Sequence, residues 1–109
     1  MDSNKFVFTE IAIEEINNAL DYISSDLANP KASKDLYDKL TDVIENMIVF
    51  PESYSLVKNN FARNKNIRKA IIDNYLLYYH YDMDNHLITI LRFVYAKRDL
   101  DKLINPMNI

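Results

Sequence analysis

The chain of 109 residues contains no glycine, no cysteine and no tryptophan, and has only three prolines and two histidines. Each scarcity excludes something. Without glycine there is no phosphate-cradling loop of the P-loop or dinucleotide-binding kind. Left-handed backbone positions must then fall to other residues, first to asparagines such as Asn59, Asn60, Asn64 and Asn66. Without cysteine there are no disulfides and no thiolate metal sites, which fits a reducing compartment. His80 and His86 lack the helical H-x-x-x-H spacing of a zinc site. No stretch approaches the roughly 18 apolar residues of a membrane span. The amino-terminal MDSNKFVFTE lacks the charged start and apolar run of a secretion signal. A soluble cytoplasmic protein is expected, with no metal, no cofactor and no membrane contact.

What is present is the composition of a globular domain, 49% hydrophobic and 27% charged. At this length the chain is expected to fold as one domain over 1–109, with 105–109 a frayed tail. The net charge of −3 conceals a division. Residues 1–57 hold eleven acids against four lysines, a balance of −7, whereas residues 58–109 hold nine bases against five aspartates, a balance of +4. A basic second half suggests an anionic partner for that part of the chain.

Residues 75 to 99 organise the rest. Tyr75, Leu77, Tyr79 and Tyr81 alternate with Leu76, Tyr78 and His80, polar residues from Asp82 to His86 make a turn, and Leu87 to Tyr95 resume as a strand. This is the pattern of a long β-hairpin, which needs cover to be stable. Upstream, KFVF at 5–8 reads as a short edge strand, and Thr9 can cap the helix that follows. Ala12, Ile16, Ala19 or Leu20, Ile23 and Leu27 recur at helical spacing, with Glu14 and Glu15 read as solvated surface. Asn29-Pro30 ends that helix and starts a second, apolar at Leu36, Leu40, Val43, Ile44 and Met47, which Phe50-Pro51 ends. The helices are expected to fold back as an antiparallel pair. Tyr54, Leu56 and Val57 suggest a brief strand and Ile67 to Asp73 a longer one. Lys97 to Ile104 suggests a short closing helix. The order implies an α+β fold: an N-terminal strand, a helical hairpin on one face of a mostly antiparallel sheet of three to four further strands, and a short C-terminal helix. The other sheet face is expected to stay open.

The Asn29-Pro30 helical hairpin, the Phe50-Pro51 helix end, the basic strand IRKAII, the aromatic strand YLLYYHY and the ending ILRFVYAKRDLDKLI together resemble the RelE/ParE superfamily of bacterial type II toxin–antitoxin toxins. The resemblance spans about Phe8 to Ile104. It implies a small toxin held silent by a cognate antitoxin whose extended and helical segments wrap around it. It also implies one of two targets: the ribosome and its mRNA, cut by RelE-like members, or DNA gyrase, inhibited by ParE-like members of the kind that stabilise plasmids.

RNA cleavage at the 2′-hydroxyl needs a base, cations around the phosphate and an acid for the leaving oxygen. The RelE-like set, which is metal-independent, carries over in part. Lys65, Arg68 or Lys69 match its cations, Tyr95 is the candidate functional tyrosine, and Arg98 falls where the family places an arginine after the last strand. The arginine expected after the tyrosine of the penultimate strand is replaced by Leu76, and Ile104 stands near the place of the terminal tyrosine. His80 and His86 are substitute bases, with packing or solvent exposure as the structural alternative. The ending resembles ParE more closely, where an arginine–aspartate pair such as Arg98-Asp99 precedes an apolar helix; structurally, Asp99 can simply cap that helix. The sequence pI of about 5.3 also disfavours a ribosome binder. The expectation is therefore a growth-inhibiting toxin with a target-binding set of Arg63, Lys65, Arg68, Tyr95, Lys97 and Arg98 and a lean towards gyrase. The alternatives are a ribosome-dependent mRNA endoribonuclease and an inactive relative that only binds its antitoxin.

Overall fold

Strand β1 (Lys5–Phe8) leads into helix α1 (Glu10–Asp21), a π-helical turn (Tyr22–Asp26) and helix α2 (Pro30–Val49). Strands β2 (Ser55–Leu56), β3 (Ile67–Ile72), β4 (Tyr75–Asp82) and β5 (Leu87–Tyr95) follow, closed by a 3-10 turn at Ala96–Arg98. The computed structural model describes residues 4–58 and 65–98, Arg98 through its backbone alone. The expected tail at 105–109, most of the closing helix and three of the asparagines, Asn59, Asn60 and Asn64, lie outside them. The five strands lie in the order β1-β5-β4-β3-β2, antiparallel throughout except for the parallel β1–β5 pair. The α+β fold is thus as the sequence implies, with β2 to β5 the four further strands.

Helix boundaries follow from local chemistry. The Thr9 hydroxyl accepts the Ala12 N–H at 3.1 Å, and Asn29 Oδ1 accepts the Ala32 N–H at 3.0 Å. Each satisfies one of the donors that a first helical turn leaves unpaired. Pro30 at the first helical position forfeits no bond. Between the helices Ala28 takes φ 48°. The αL region costs a non-glycine residue roughly 1–2 kcal/mol, and here it falls to alanine because the chain has no glycine to offer. Asn66, Asp73 and His86 also have positive φ. The first two are of the types that tolerate it best.

Ala12 and Ile16 of α1 and Leu36, Leu40, Ile44 and Met47 of α2 close over Ala70, Ile72, Leu77, Tyr79, Ile88, Ile90 and Phe93 of the sheet. Tyr79 is fully buried, and its hydroxyl donates to the Pro51 carbonyl at 2.6 Å. Burial holds that phenol well above the ordinary tyrosine range.

The opposite face departs from the expectation that it stays open. Val57, Ile67, Leu76, Tyr78, Leu91 and Val94 form a second buried cluster there, with Val57 and Tyr78 fully shielded. The cause is visible in YLLYY: β4 is apolar at consecutive positions, so it presents hydrophobic side chains to both faces.

Candidate functional site

Strand β1 pairs with β5 only as far as Phe8 opposite Ile90, which leaves the rest of β5 without a strand on the side away from β4. Side chains of α1 take over. The Thr9 hydroxyl donates to the Leu91 carbonyl at 2.8 Å, and Glu15 Oε1 accepts the Phe93 N–H at 3.0 Å. Glu15 also binds Arg92 through both oxygens, at 2.9 Å to Nε and 2.8 Å to Nη2. The two side chains are only 17% and 19% exposed. Glu15 is therefore not the solvated surface residue expected, although Glu14 is exposed. The Glu15 carboxylate holds the Arg92 guanidinium above its ordinary pKa.

This clamp sits at a β-bulge. Tyr78 opposes Arg92 while Tyr79 opposes Ile90, so Leu91 is the extra residue of β5. Beyond the bulge, Phe93 stacks on Tyr75 at 4.8 Å and 9°, and Tyr95 leans on Tyr75 at 5.8 Å and 43°. The Ala96 N–H donates to the Asn74 carbonyl at 2.7 Å and ends the strand. Tyr95 is 44% exposed and Lys97 is exposed, with the backbone of Arg98 next in the turn. Tyr95, Lys97 and Arg98 are therefore neighbours at one end of the sheet.

The other candidates are elsewhere. Strand β3 runs so that Ile72 is in the row of Tyr75 and Tyr95, whereas Arg68 is in the row of Tyr79 and Ile90. Four residues along the strand and two strands across separate Arg68 from Tyr95, on the order of 16 Å at ~3.3 Å per residue and ~4.8 Å per strand. Lys65 precedes β3 and is further away. Arg68 is also engaged: its guanidinium donates to the Glu52 and Tyr54 carbonyls at 2.9 and 2.7 Å and to Asn66 Oδ1 at 2.8 Å, and it pairs with the Glu52 carboxylate at 3.2 Å. It is a clamp on the loop after α2, with its side chain only 12% exposed. Lys65 and Lys69 each have an interaction partner as well. Arg63, Asp99 and Ile104 lie outside the described residues.

Leu76, which stands where a nuclease of the resembled type carries arginine, is 5% exposed and opposes Val94 in the second cluster. His80 is half-buried in mid-β4, opposite Thr89, and His86 is exposed in the hairpin turn. Among the described residues no three of His, Cys, Asp and Glu gather as a ligand set for a metal.

A groove of about 520 Å³ opens between β1 and α2, lined by Phe6, Phe8, Tyr37, Leu40, Ile44 and Ile48. Phe6 and Tyr37 are 43% and 55% exposed, so the groove is open to solvent along an apolar rim. Glu45 is also at the groove and Asp42 is one turn away on α2; neither carboxylate is ion-paired among the described residues.

Sequence reasoning missed Glu15 and also Tyr22, which is 51% exposed on the π-helical turn. The signal for Glu15 was its place in the apolar stripe, between Ala12 and Ile16. Nothing in the sequence marks a π turn.

In comparison with known proteins, residues 6–100 match the family described as ParE toxin of type II toxin-antitoxin system, parDE. Curated proteins gave no match.

Proposed function

Because this chain belongs to the ParE toxin family of type II toxin–antitoxin systems, we propose that it arrests growth in the cytoplasm by binding DNA gyrase, and that a cognate antitoxin silences it. The observation that carries the choice of binding over cleavage is the scattering of the nucleolytic candidates. A base and phosphate-stabilising cations must act on one phosphodiester within hydrogen-bond reach. Arg68 is tied down in the loop clamp, about 16 Å from Tyr95 by strand geometry, and the Leu76 position is buried in the core. What remains exposed in one place is Tyr95 and Lys97, continued by Arg98. That arrangement suits a contact surface.

The apolar groove beside β1 supports the antitoxin half of the reading. An edge strand next to an exposed apolar channel can take an extended segment by strand addition or an amphipathic helix in the groove.

The rival reading, ribosome-dependent mRNA cleavage, draws support from a phenol and a cation two residues apart at the end of β5. Induced expression separates the two. Arrest of growth with trapped covalent gyrase–DNA complexes and intact transcripts is the expected result, relieved by co-expression of the small partner encoded beside the toxin. Codon-phased transcript ends without trapped gyrase would overturn the choice of target. No arrest with either arrangement would leave the inactive relative as the answer.

A further inference from the structure

Two tyrosines meet at the exit of β5, where Tyr75 is flanked by Phe93 and Tyr95 in the ring contacts given above. Tyr22, on the π-helical turn, is near enough to Tyr75 to act on its phenol electrostatically. The phenol of Tyr75 is held above its ordinary pKa by burial first, then by the neighbouring Tyr95 and Tyr22 groups. Among the described residues none of the three hydroxyls is hydrogen-bonded. Three tyrosines elsewhere in the fold differ: Tyr79 donates to Pro51, Tyr81 donates to Asn4, and Tyr54 accepts from Asn46. Lys97 is exposed and without a partner among the described residues, whereas the nearby Lys39 is paired with Asp73 at 2.8 Å. Asp21, beside Tyr22 in sequence, is exposed.

We propose that Tyr22, Tyr75 and Tyr95, with Lys97 at their edge, dock a carboxylate-bearing segment of the target protein. The proposal rests on the reading that this toxin acts by binding. The rings offer a rigid apolar floor at low conformational cost, and tyrosine is among the residues that dominate protein interfaces. The free hydroxyls and the ammonium offer donors to a carboxylate. Tyr22 is half exposed on a surface turn, so its ring is open to a partner. A π turn in a helix is itself a frequent companion of functional sites. Single-stranded nucleic acid would also stack on such rings, but it needs a row of cations along its backbone. Among the described side chains at this margin Lys39 is paired with Asp73 and Lys97 has no partner, which is not a row of cations.

The test uses the whole chain as wild type and as Tyr22→Ala, Tyr22→Phe and Tyr95→Ala, each checked by thermal melting. The readout is inhibition of purified gyrase in a supercoiling assay. Tyr22→Ala is expected to raise the half-inhibitory concentration about tenfold, corresponding to ~1.4 kcal/mol, with Tyr22→Phe between it and wild type. Equal inhibition by wild type and folded Tyr22→Ala would overturn the docking surface. If wild type itself fails to inhibit gyrase, it is the choice of gyrase that fails. The same variants are then scored on growth arrest, where equal potency of Tyr22→Ala again overturns the surface. Tyr22-dependent binding of a labelled single-stranded oligonucleotide would overturn the assignment to a protein partner.

Discussion

Replacing Glu15 with alanine removes three hydrogen-bond acceptances at once: two from Arg92 and one from the Phe93 N–H. It leaves an arginine whose side chain is only 19% exposed without its counter-charge, and a strand N–H with no strand on its side of β5. Breaking a fully buried pair costs ~3–5 kcal/mol, and a net backbone hydrogen bond is worth ~1 kcal/mol. Since about a fifth of each side chain is in water, the ion-pair part is discounted. The expected total is about 3 kcal/mol. For a domain of this size that lowers Tm by roughly 12–20 °C. Glu15→Gln keeps an acceptor for Phe93 and loses the charge, so it should fall between. The decisive assay is a double-mutant cycle in urea. Arg92→Ala and Glu15→Ala together should be less destabilised than the sum of the singles by roughly 2 kcal/mol, since the second change removes a charge already stranded by the first. Additive losses, or a Glu15→Ala loss under about 1 kcal/mol, would refute the view that this pair replaces β1 along the end of β5.

Ala28→Gly relieves the αL conformation and should stabilise the fold by up to ~1 kcal/mol in the same urea titration, part of the gain being lost to the greater freedom of glycine when unfolded. Asp82 accepts from the Asn85 side chain and backbone in the β4–β5 turn, and the former bond chiefly holds its carboxyl below the ordinary 3.8. A depressed carboxylate stabilises above its unfolded pKa and loses that contribution as pH falls through the folded value. Asp82→Ala should therefore melt lower than wild type at pH 7, and the gap should close as melts are repeated below pH ~4. Tyr37→Asp places a charge at the apolar groove and leaves Tyr95 and Lys97 unchanged. Growth arrest should persist in that variant while neutralisation by the co-expressed antitoxin fails, and neutralisation as complete as for wild type would remove the groove from the antitoxin's seat.

The elements were legible because their signals are local. The alternation of Tyr75 to Tyr81 and the Asn29-Pro30 boundary each lie within a few residues and are dictated by side-chain period and proline sterics. β2 was legible from Tyr54, Leu56 and Val57 for the same reason. The burial of both sheet faces was also written in YLLYY, though it competes with the simpler expectation that an α+β sheet has one wet side. What was not legible is long-range register. Lys65, Arg68 and Lys69 precede the hairpin in sequence, and Tyr95 to Arg98 end it, an order that invites placing them side by side. Two antiparallel crossings instead carry the end of β5 to the far end of β3. A count of strand reversals decides this, and the count depends on whether the weak β2 and β3 signals are strands.

The Glu15–Arg92 pair is a different case, because the sequence held both halves of it. Positions 12, 15, 16 and 19 make one helical face, and three of them are Ala, Ile and Ala. A carboxylate within that stripe is half-buried by geometry and must find a cation or donors, since an unpaired buried charge is too costly to keep. Between Lys69 and Lys97 the only lysine or arginine is Arg92, set within the apolar run ILRFVY, where a strand charge faces the same constraint. Two charges of opposite sign, each misplaced on an apolar element, are each other's most economical solution. The inference from adjacency in Glu14-Glu15 failed because it treated the acids as a pair, when the ~100° turn between neighbouring helical residues puts one in water and the other against the sheet.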